Sequence, residues 1–409
     1  MDGPSHGAPS TLFEDRFGYP ATFVVWAPGR VNLVGEHIDY SLLPVLPMAI
    51  QLGTTLTVRP RDDRLVRLTN ADRAYSDVEL ELSVDLEPGV PGDWGDYARG
   101  VAQALARNYG IRVGADVAVE SDLPAAAGLS SSSALSCGLA LALLAVNGHN
   151  PDRVELAEVM AGAERYAGTH GGGMDQAVIL CAQAGSAVGV SFAPLHVRPL
   201  AMPEKWVFLV AHSGIAAEKS GAARATYNAR TRECREALAV VWAAVGDGEA
   251  PQKDYRPLLE AADTDHLLRV GADVLTAALL ARFRHTVTEV LRVSEAEAAL
   301  RGGDLEGFGR VMEGSHHSLR DDYEVSTPEL DKIVSLARQA GAAGARLTGA
   351  GLGGSALILC AEDTESSIRE SLAADYYGQR GDMTSEAAVF RALPSGGATV
   401  AAIERRSSS

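Results

Sequence analysis

Pro124 to Cys137 reads PAAAGLSSSSALSC, and this stretch decides the fold. Upstream, Val113 to Ser121 (VGADVAVES) alternates as a β-strand does, and downstream Ala134 to Val146 (ALSCGLALALLAV) is an apolar run of helix formers. The stretch is therefore a strand, a loop of small residues and a helix. Gly128 lets backbone approach a ligand closely. Ser130, Ser131, Ser132 and Ser133 fall at the cap and first turn of the helix. Free N–H groups and the positive end of the helix dipole lie there, and serine hydroxyls add donors, so the loop suits an anion such as phosphate. The competing reading is a serine-capped buried helix.

The chain has 409 residues, 46% of them hydrophobic, enough for a large core and two or three domains. Its formal charge of −17 argues against nucleic acid or an anionic membrane as a partner. A phosphate ligand must then be held by local donors against an unfavourable global field. Cys137, Cys181, Cys234 and Cys360 are widely spaced, with no CxxC pair, which fits a reduced cytoplasmic setting. The longest helical apolar run is about thirteen residues, short of the ~20 that cross a bilayer. Residues 1–10 carry no secretory signal pattern, and residues 1–20 read as a loose leader.

Along the chain, Phe23 to Trp26 reads as a strand end, followed by the turn signal Ala27-Pro28-Gly29. Arg30 to Tyr40 (RVNLVGEHIDY) then packs Arg30, Asn32, Glu36, His37 and Asp39 among apolar residues. Carboxylates accept hydrogen bonds and imidazole does either, so Glu36, His37 and Asp39 suit vicinal hydroxyls. A salt-bridged turn beside the core is the alternative. Val45 to Val58, Arg64 to Leu68 and Glu79 to Val84 read as strands, and Gly92 to Arg107 as a helix. Trp94 at its start either stacks on a flat ring or anchors the helix.

Asp152 to Thr169 reads as a helix carrying Glu164, and it runs into His170-Gly171-Gly172-Gly173-Met174-Asp175-Gln176. A carboxylate delivered by a glycine turn into an apolar element is a candidate base, or else a helix cap. Gly185 to Phe192 and Trp206 to Ser213 read as strands. Ala223 to Val245, containing Tyr227, and most of 254–313 read as helix. Thr327-Pro328-Glu329 is a helix start. Gly349, Gly351 and Gly354 satisfy GxGxxG, but a strand (Ser355 to Cys360) follows instead of a helix, so a dinucleotide site is rejected. No GxxxxGK[ST] is present either. A glycine loop between strands still makes room for a ligand or a second loop.

Three separated segments now agree with one family. Ala27 to Met48, Pro124 to Ala134 and Arg346 to Ser355 resemble the three signature motifs of the GHMP small-molecule kinases, and GRVNLVGEHIDY resembles the galactokinase signature within that group. GGGMDQ (Gly171 to Gln176) and SLRDDYEVSTPELD (Ser318 to Asp331) extend the resemblance over roughly residues 22–403. It implies an α+β, two-domain fold: an N-terminal ribosomal-protein-S5-domain-2-like unit over residues 21–200 and a ferredoxin-like unit over 201–409. It also implies transfer of the ATP γ-phosphate to the 1-hydroxyl of galactose, in a monomer or weak dimer. N-acetylgalactosamine or another pyranose such as L-arabinose is the alternative acceptor, and a non-catalytic sugar and ATP sensor the alternative class.

Residue by residue, the resemblance implies that Ser130 and Ser131 hold ATP phosphates, with Gly128 and Ser133 in the same loop and Trp94 near adenine. Ser132 and Glu164 hold Mg²⁺. Asp175 is the catalytic aspartate and Arg30 its partner. Glu36, His37, Asp39, Gly172 and Tyr227 contact the sugar. Ala126 stands where the family pattern has glycine, and Ser41-Leu42-Leu43 where it has Asn-Gly-Gly. Ile38 and the triple glycine look more like N-acetylgalactosamine kinases, and Tyr227 like galactokinases. Glycine at 173 is expected to open space beside the sugar.

Overall fold

The computed structural model describes residues 11–90, 92–124, 126–168, 171–216, 221–380 and 384–403. Residues 1–10, His170 and the tail from 404 lie outside that set. The chain starts with helix α1 (Leu12–Phe17), so residues 11–20 are not a loose leader. Phe13 is buried, its ring 4.9 Å from Phe17 and 6.1 Å from Tyr19, and the Tyr19 hydroxyl donates to Asp116. Three aromatic rings within seven residues give this segment an apolar face to bury, which its polar surroundings conceal.

Strands β1 (Phe23–Val34), β2 (Leu46–Pro60), β3 (Leu65–Asn70) and β4 (Val78–Glu81) follow. The signal Ala27-Pro28-Gly29 does not end β1. It makes an irregularity there: the pairing of β1 with β2 shifts between Pro28 and Arg30, and again between Asn32 and Val34. Such bulges bend a strand and re-aim side chains. Helix α2 (Gly95–Tyr109) leads to β5 (Ala115–Ser121), and the loop after β5 leads to α3 (Ser131–Val146). Helix α3 is buried along nearly its whole length, with Leu139, Ala140, Leu143 and Leu144 essentially inaccessible. Helix α4 (Arg153–Ala163), capped by the Asp152 carboxylate, ends in a short 3₁₀ turn, Glu164–Ala167. Helix α5 (Met174–Cys181) and the hairpin β6 (Ser186–Ser191) with β7 (His196–Ala201) complete the first half.

Strand β8 (Trp206–His212) opens a second sheet. It is followed by α6 (Gly221–Val245), α7 (Arg256–Ala261), α8 (Thr264–Val274), α9 (Ala277–Gly302), α10 (Leu305–Asp321) and α11 (Pro328–Gln339). As Thr327-Pro328-Glu329 predicts, the Thr327 hydroxyl caps α11 by accepting from the Leu330 N–H. Strands β9 (Gly344–Thr348) and β10 (Ser355–Ala361) flank the glycine loop, and α12 (Glu365–Asp375), α13 (Ser385–Ala388), β11 (Val389–Ala392) and β12 (Thr399–Ala402) end the chain.

Among the described residues the strands form a six-stranded sheet, β12-β1-β2-β5-β3-β4, a four-stranded sheet, β11-β8-β10-β9, and the hairpin. The four-stranded sheet is antiparallel throughout, in chain order 4-1-3-2, the ferredoxin-like arrangement. Strand β12 pairs with β1, so the end of the chain returns to the first sheet, and a cut at residue 200 does not separate the two halves cleanly. No described helix is long and apolar enough to cross a membrane.

Candidate active site

The loop into α3 is shaped by its backbone. Ala126 (φ 51°), Gly128 (φ 77°) and Ser130 (φ 62°) are all left-handed. Alternation of left-handed residues with their ordinary neighbours turns successive N–H groups into one concavity, a shape that binds anions. The N–H groups of the first turn of α3 point the same way, without intrahelical acceptors. The four serines divide their work. The Ser130 hydroxyl donates to Oδ2 of Asp175, and the Ser133 hydroxyl lies 3.3 Å from that oxygen and 3.4 Å from Oε1 of Glu164. Ser131 and Ser132 are half-buried.

The two glycine motifs meet here. A Cβ on Gly349 would lie 2.5 Å from the Gly128 carbonyl oxygen, and one on Gly128 3.1 Å from that of Thr348. The loop after β9 therefore packs backbone to backbone on the serine loop, which makes room for a second loop as its reading between two strands anticipated. Strand β10 follows it, in keeping with the rejection of a dinucleotide site.

Asp175, in the first turn of α5, joins this loop to a cleft lined by Arg30, Glu36, His37, Asp39, Glu164 and Asp175 among others. Its Oδ1 accepts from Nε of Arg30 at 2.8 Å. Arg30 Nη1 also donates to the Gly128 carbonyl at 2.6 Å, so one guanidinium spans Asp175 and the serine loop. Burial opposes the Arg30 charge, but Asp175 and Glu36 outweigh it and its pKa is raised.

The segment Glu36 to Asp39 forms the facing wall. Glu36 Oε2 accepts from Arg346 Nη2 at 3.1 Å and from the Gly349 N–H at 3.0 Å. Arg346 is fully buried, and burial raises the Glu36 pKa against the pull of that guanidinium. Asp39 Oδ2 accepts from the N–H groups of Gly172 (3.1 Å) and Met174 (3.4 Å). Burial, then the charge of Asp175, pushes Asp39 up to about 6. His37 lies 5.5 Å, ring to ring, from Tyr227.

The glycines have different tasks. A Cβ on Gly172 would lie 2.2 Å from the Asp39 carbonyl carbon, so Gly172 lets the two segments touch. Gly173 is left-handed (φ 110°), and a Cβ there would face Ala161 at 3.2 Å and Phe192 at 3.8 Å. That direction leads toward α4, while Gly173 itself lines the cleft. Glycine is needed there for backbone conformation.

Trp94 precedes α2, its Nε1 donating to the Ser76 carbonyl at 2.8 Å and its ring edge-on to Tyr75 at 5.7 Å. These contacts anchor the start of α2 beside Tyr75, outside the residues lining the cleft, and leave a place for Trp94 beside a ligand elsewhere on that face untouched. Glu164 accepts from Gln176 Nε2 at 3.1 Å, while Gln176 Oε1 is buried without a partner. This pairing suits a Mg²⁺ ion: Mg²⁺ keeps several waters, takes one or two protein ligands and shares substrate phosphates, and the orphaned Oε1 is an acceptor for a metal-bound water. No group of three His, Cys, Asp or Glu side chains able to hold a metal occurs among the described residues.

Arg346, Gln176, Tyr40 and Tyr323 escaped the sequence reading as site residues. Arg346 left a faint signal, a lone arginine in an otherwise apolar strand run.

Family models agree with this geometry. Residues 11–60 match the galactokinase galactose-binding signature, 96–183 the GHMP kinases N-terminal domain and 296–378 the GHMP kinases C-terminal domain. A galactokinase of Chloroflexus aurantiacus is 39% identical over 357 residues, covering 86% of this chain and 87% of that protein. A galactokinase of Bos taurus is 36% identical over 386 residues, covering 92% and 93%. The crystal structure of Lactococcus lactis galactokinase complexed with galactose superposes with a TM-score of 0.85 at 30% identity, covering 95% of this chain and 97% of that one. A mevalonate kinase shares the fold at 20% identity and a TM-score of 0.59, covering 90% and 98%. With a buried carboxylate joining the serine loop to a polar cleft, and with relatives matched over nearly their whole length, the chain belongs to the galactokinase family of the GHMP kinases.

Proposed function

We propose that this protein is an ATP-dependent galactokinase that transfers the γ-phosphate to the anomeric hydroxyl of galactose, giving galactose 1-phosphate and ADP. One observation carries the reading. Asp175 bridges the two halves of the reaction, one oxygen on Arg30 and the other on the Ser130 hydroxyl at the mouth of α3. Phosphoryl transfer needs positioning and charge neutralisation more than covalent chemistry. Asp175 accepts the proton of the 1-hydroxyl as that oxygen attacks phosphorus. Arg30 orients the carboxylate and offsets charge on the transferring group. The N–H groups around Gly128 and Ser130, with Ser131, hold phosphate oxygens, and Trp94 borders the adenine. Glu36, His37, Asp39, Gly172 and Tyr227 bind the sugar. Ser132 and Glu164 hold Mg²⁺, which when bound neutralises phosphate charge.

The setting we assign is the cytoplasm, where the four free thiols Cys137, Cys181, Cys234 and Cys360 stay reduced. Galactose ranks ahead of N-acetylgalactosamine because the relatives matched over most of the chain are galactokinases, one of them solved with galactose. An ADP-release assay over galactose, N-acetylgalactosamine, glucose, talose and L-arabinose tests this. Galactose is expected to give the highest kcat/KM. A tenfold preference for another sugar overturns the substrate, and sugar and ATP binding without turnover favours a sensor.

A further inference from the structure

His37 is left-handed (φ 63°), a conformation that side-chain-bearing residues adopt only when their surroundings impose it. Both ring nitrogens are engaged. Nδ1 lies 3.2 Å from the Tyr40 hydroxyl, and Nε2 lies 3.1 Å from the Ala350 carbonyl oxygen. A carbonyl oxygen can only accept, so Nε2 carries the hydrogen. Burial, ahead of the neighbouring His285, pushes the His37 pKa down to about 3, so the ring holds a single hydrogen and Nδ1 is bare. Nδ1 therefore accepts from Tyr40.

This direction propagates inward. Tyr40, having donated to His37, accepts from the Tyr323 hydroxyl, and the Tyr323 oxygen faces the Cys234 thiol at 3.1 Å. All three are buried, and burial raises their pKa values, so each keeps its proton. The inner end is clamped. Arg230 Nε donates to the Tyr323 carbonyl at 2.8 Å, and Arg282 donates to that of Asp322. The hydroxyl donors thus run one way, Tyr323 to Tyr40 to His37, while the Cys234 thiol lies between the Tyr323 hydroxyl and that of Thr286, 3.6 Å away.

We propose that Tyr323 and Tyr40 are positioning residues that lock His37 in the Nε2–H tautomer, making it a hydrogen-bond donor to a sugar hydroxyl oxygen. The proposal rests on the assignment of this cleft to sugar. His37 and Ala350 both line the cleft, so the hydrogen held by Ala350 is at hand for an incoming oxygen. Nothing in the chain touches the serine loop, so its loss should be felt by sugar and not by nucleotide.

The test is histidine ¹⁵N NMR on wild type, Tyr40→Phe and Tyr323→Phe, with KM measured for both substrates. Wild-type His37 is expected as Nε2–H. With galactose bound and drawing the hydrogen away from Ala350, each variant is expected to mix the two tautomers and to raise the galactose KM roughly tenfold, leaving the ATP KM within about twofold. Nδ1–H in the wild type overturns the chain, even where neither variant folds. So does pure Nε2–H in a folded variant saturated with galactose, whatever its stability. A mixed tautomer with an unchanged galactose KM overturns instead the assignment of His37 to the sugar.

Discussion

Between Glu36 and Asp39 each polar side chain already has a protein partner: Arg346 and the Gly349 N–H for Glu36, Tyr40 and Ala350 for His37, Gly172 and Met174 for Asp39. Between Ala126 and Ser133 the surface is mostly backbone, bent by alternate left-handed residues. Under the proposed function the cleft would recognise sugar by side chains held in advance, and the serine loop beside it phosphate by the shape of its backbone. Sugar hydroxyls differ in direction and need donors and acceptors at set positions, which a buried, paired network supplies. Phosphates differ little, and a concave array of N–H groups with a helix dipole serves them all. The side-chain wall should fail when a partner is lost, and the backbone wall when a Cβ is added.

The largest effect is expected where the walls meet. Asp175→Asn should lower kcat about 10² to 10⁴-fold while calorimetry shows ATP and galactose still bound. Near-normal turnover would remove Asp175 from the chemistry. Next comes the side-chain wall. Arg346→Met leaves the buried Glu36 carboxylate without its guanidinium partner, held by the Gly349 N–H, and should cost about 3 kcal/mol in urea unfolding. Adding Glu36→Gln should restore much of that loss, and a single variant costing under about 1 kcal/mol would mean that the pair is not buried as described.

Smaller effects sharpen the contrast. Gly349→Ala puts a Cβ 2.5 Å from the Gly128 carbonyl at a left-handed position (φ +83°). It should cost about 1–3 kcal/mol and raise the KM for ATP rather than for galactose. A rise confined to galactose would place the loop on the wrong wall. For Asp39, burial with Asp175 behind it raises the pKa to about 6, above its unfolded value. Its contribution to stability is therefore fully present below the unfolded pKa and lost as pH rises through 6. Asp39→Asn should raise Tm at pH 8, by a net of about 1 kcal/mol after the cost of its unpaired amide, and the gap should close as pH falls through 6. In the wild type, kcat/KM for galactose should decline below about pH 6 as Asp39 takes a proton, and a flat profile down to pH 5 would contradict it. Smallest, Ala126→Gly relieves a left-handed alanine (φ 51°) and should add about 0.5 kcal/mol to stability, read from the thermal midpoint.

What was legible followed the range of the interactions. The serine loop, the Arg30 to Tyr40 segment and the glycine turn before Asp175 are contiguous, and their chemistry is local: helix capping, glycine conformation, clustered polar side chains. The second sheet's strands β8, β9 and β10 were equally plain from their apolar runs. The turn signal Ala27-Pro28-Gly29 misled because a bulge uses the same residues as a turn, and only the partner strand tells them apart. Strand β7, with four of six residues exposed or nearly so, lacks the apolar face that marks a strand. At Gly173 a glycine needed for φ and a glycine needed for space look identical in one dimension; in three, the residue is left-handed and also lines the cleft.

By itself the sequence determined the kind of chemistry: hydroxyls at a helix mouth, a carboxylate after a glycine turn, and a polar cluster able to hold a sugar. These depend on neighbours a few residues apart, whose geometry the backbone largely dictates. Only the tertiary structure decided how the pieces are held: Arg346 on Glu36 across 310 positions, Tyr323 on Tyr40 across 283, and β12 beside β1. Those contacts arise from close packing around a shared core. They depend on where whole elements come to rest, which no short stretch of residues encodes.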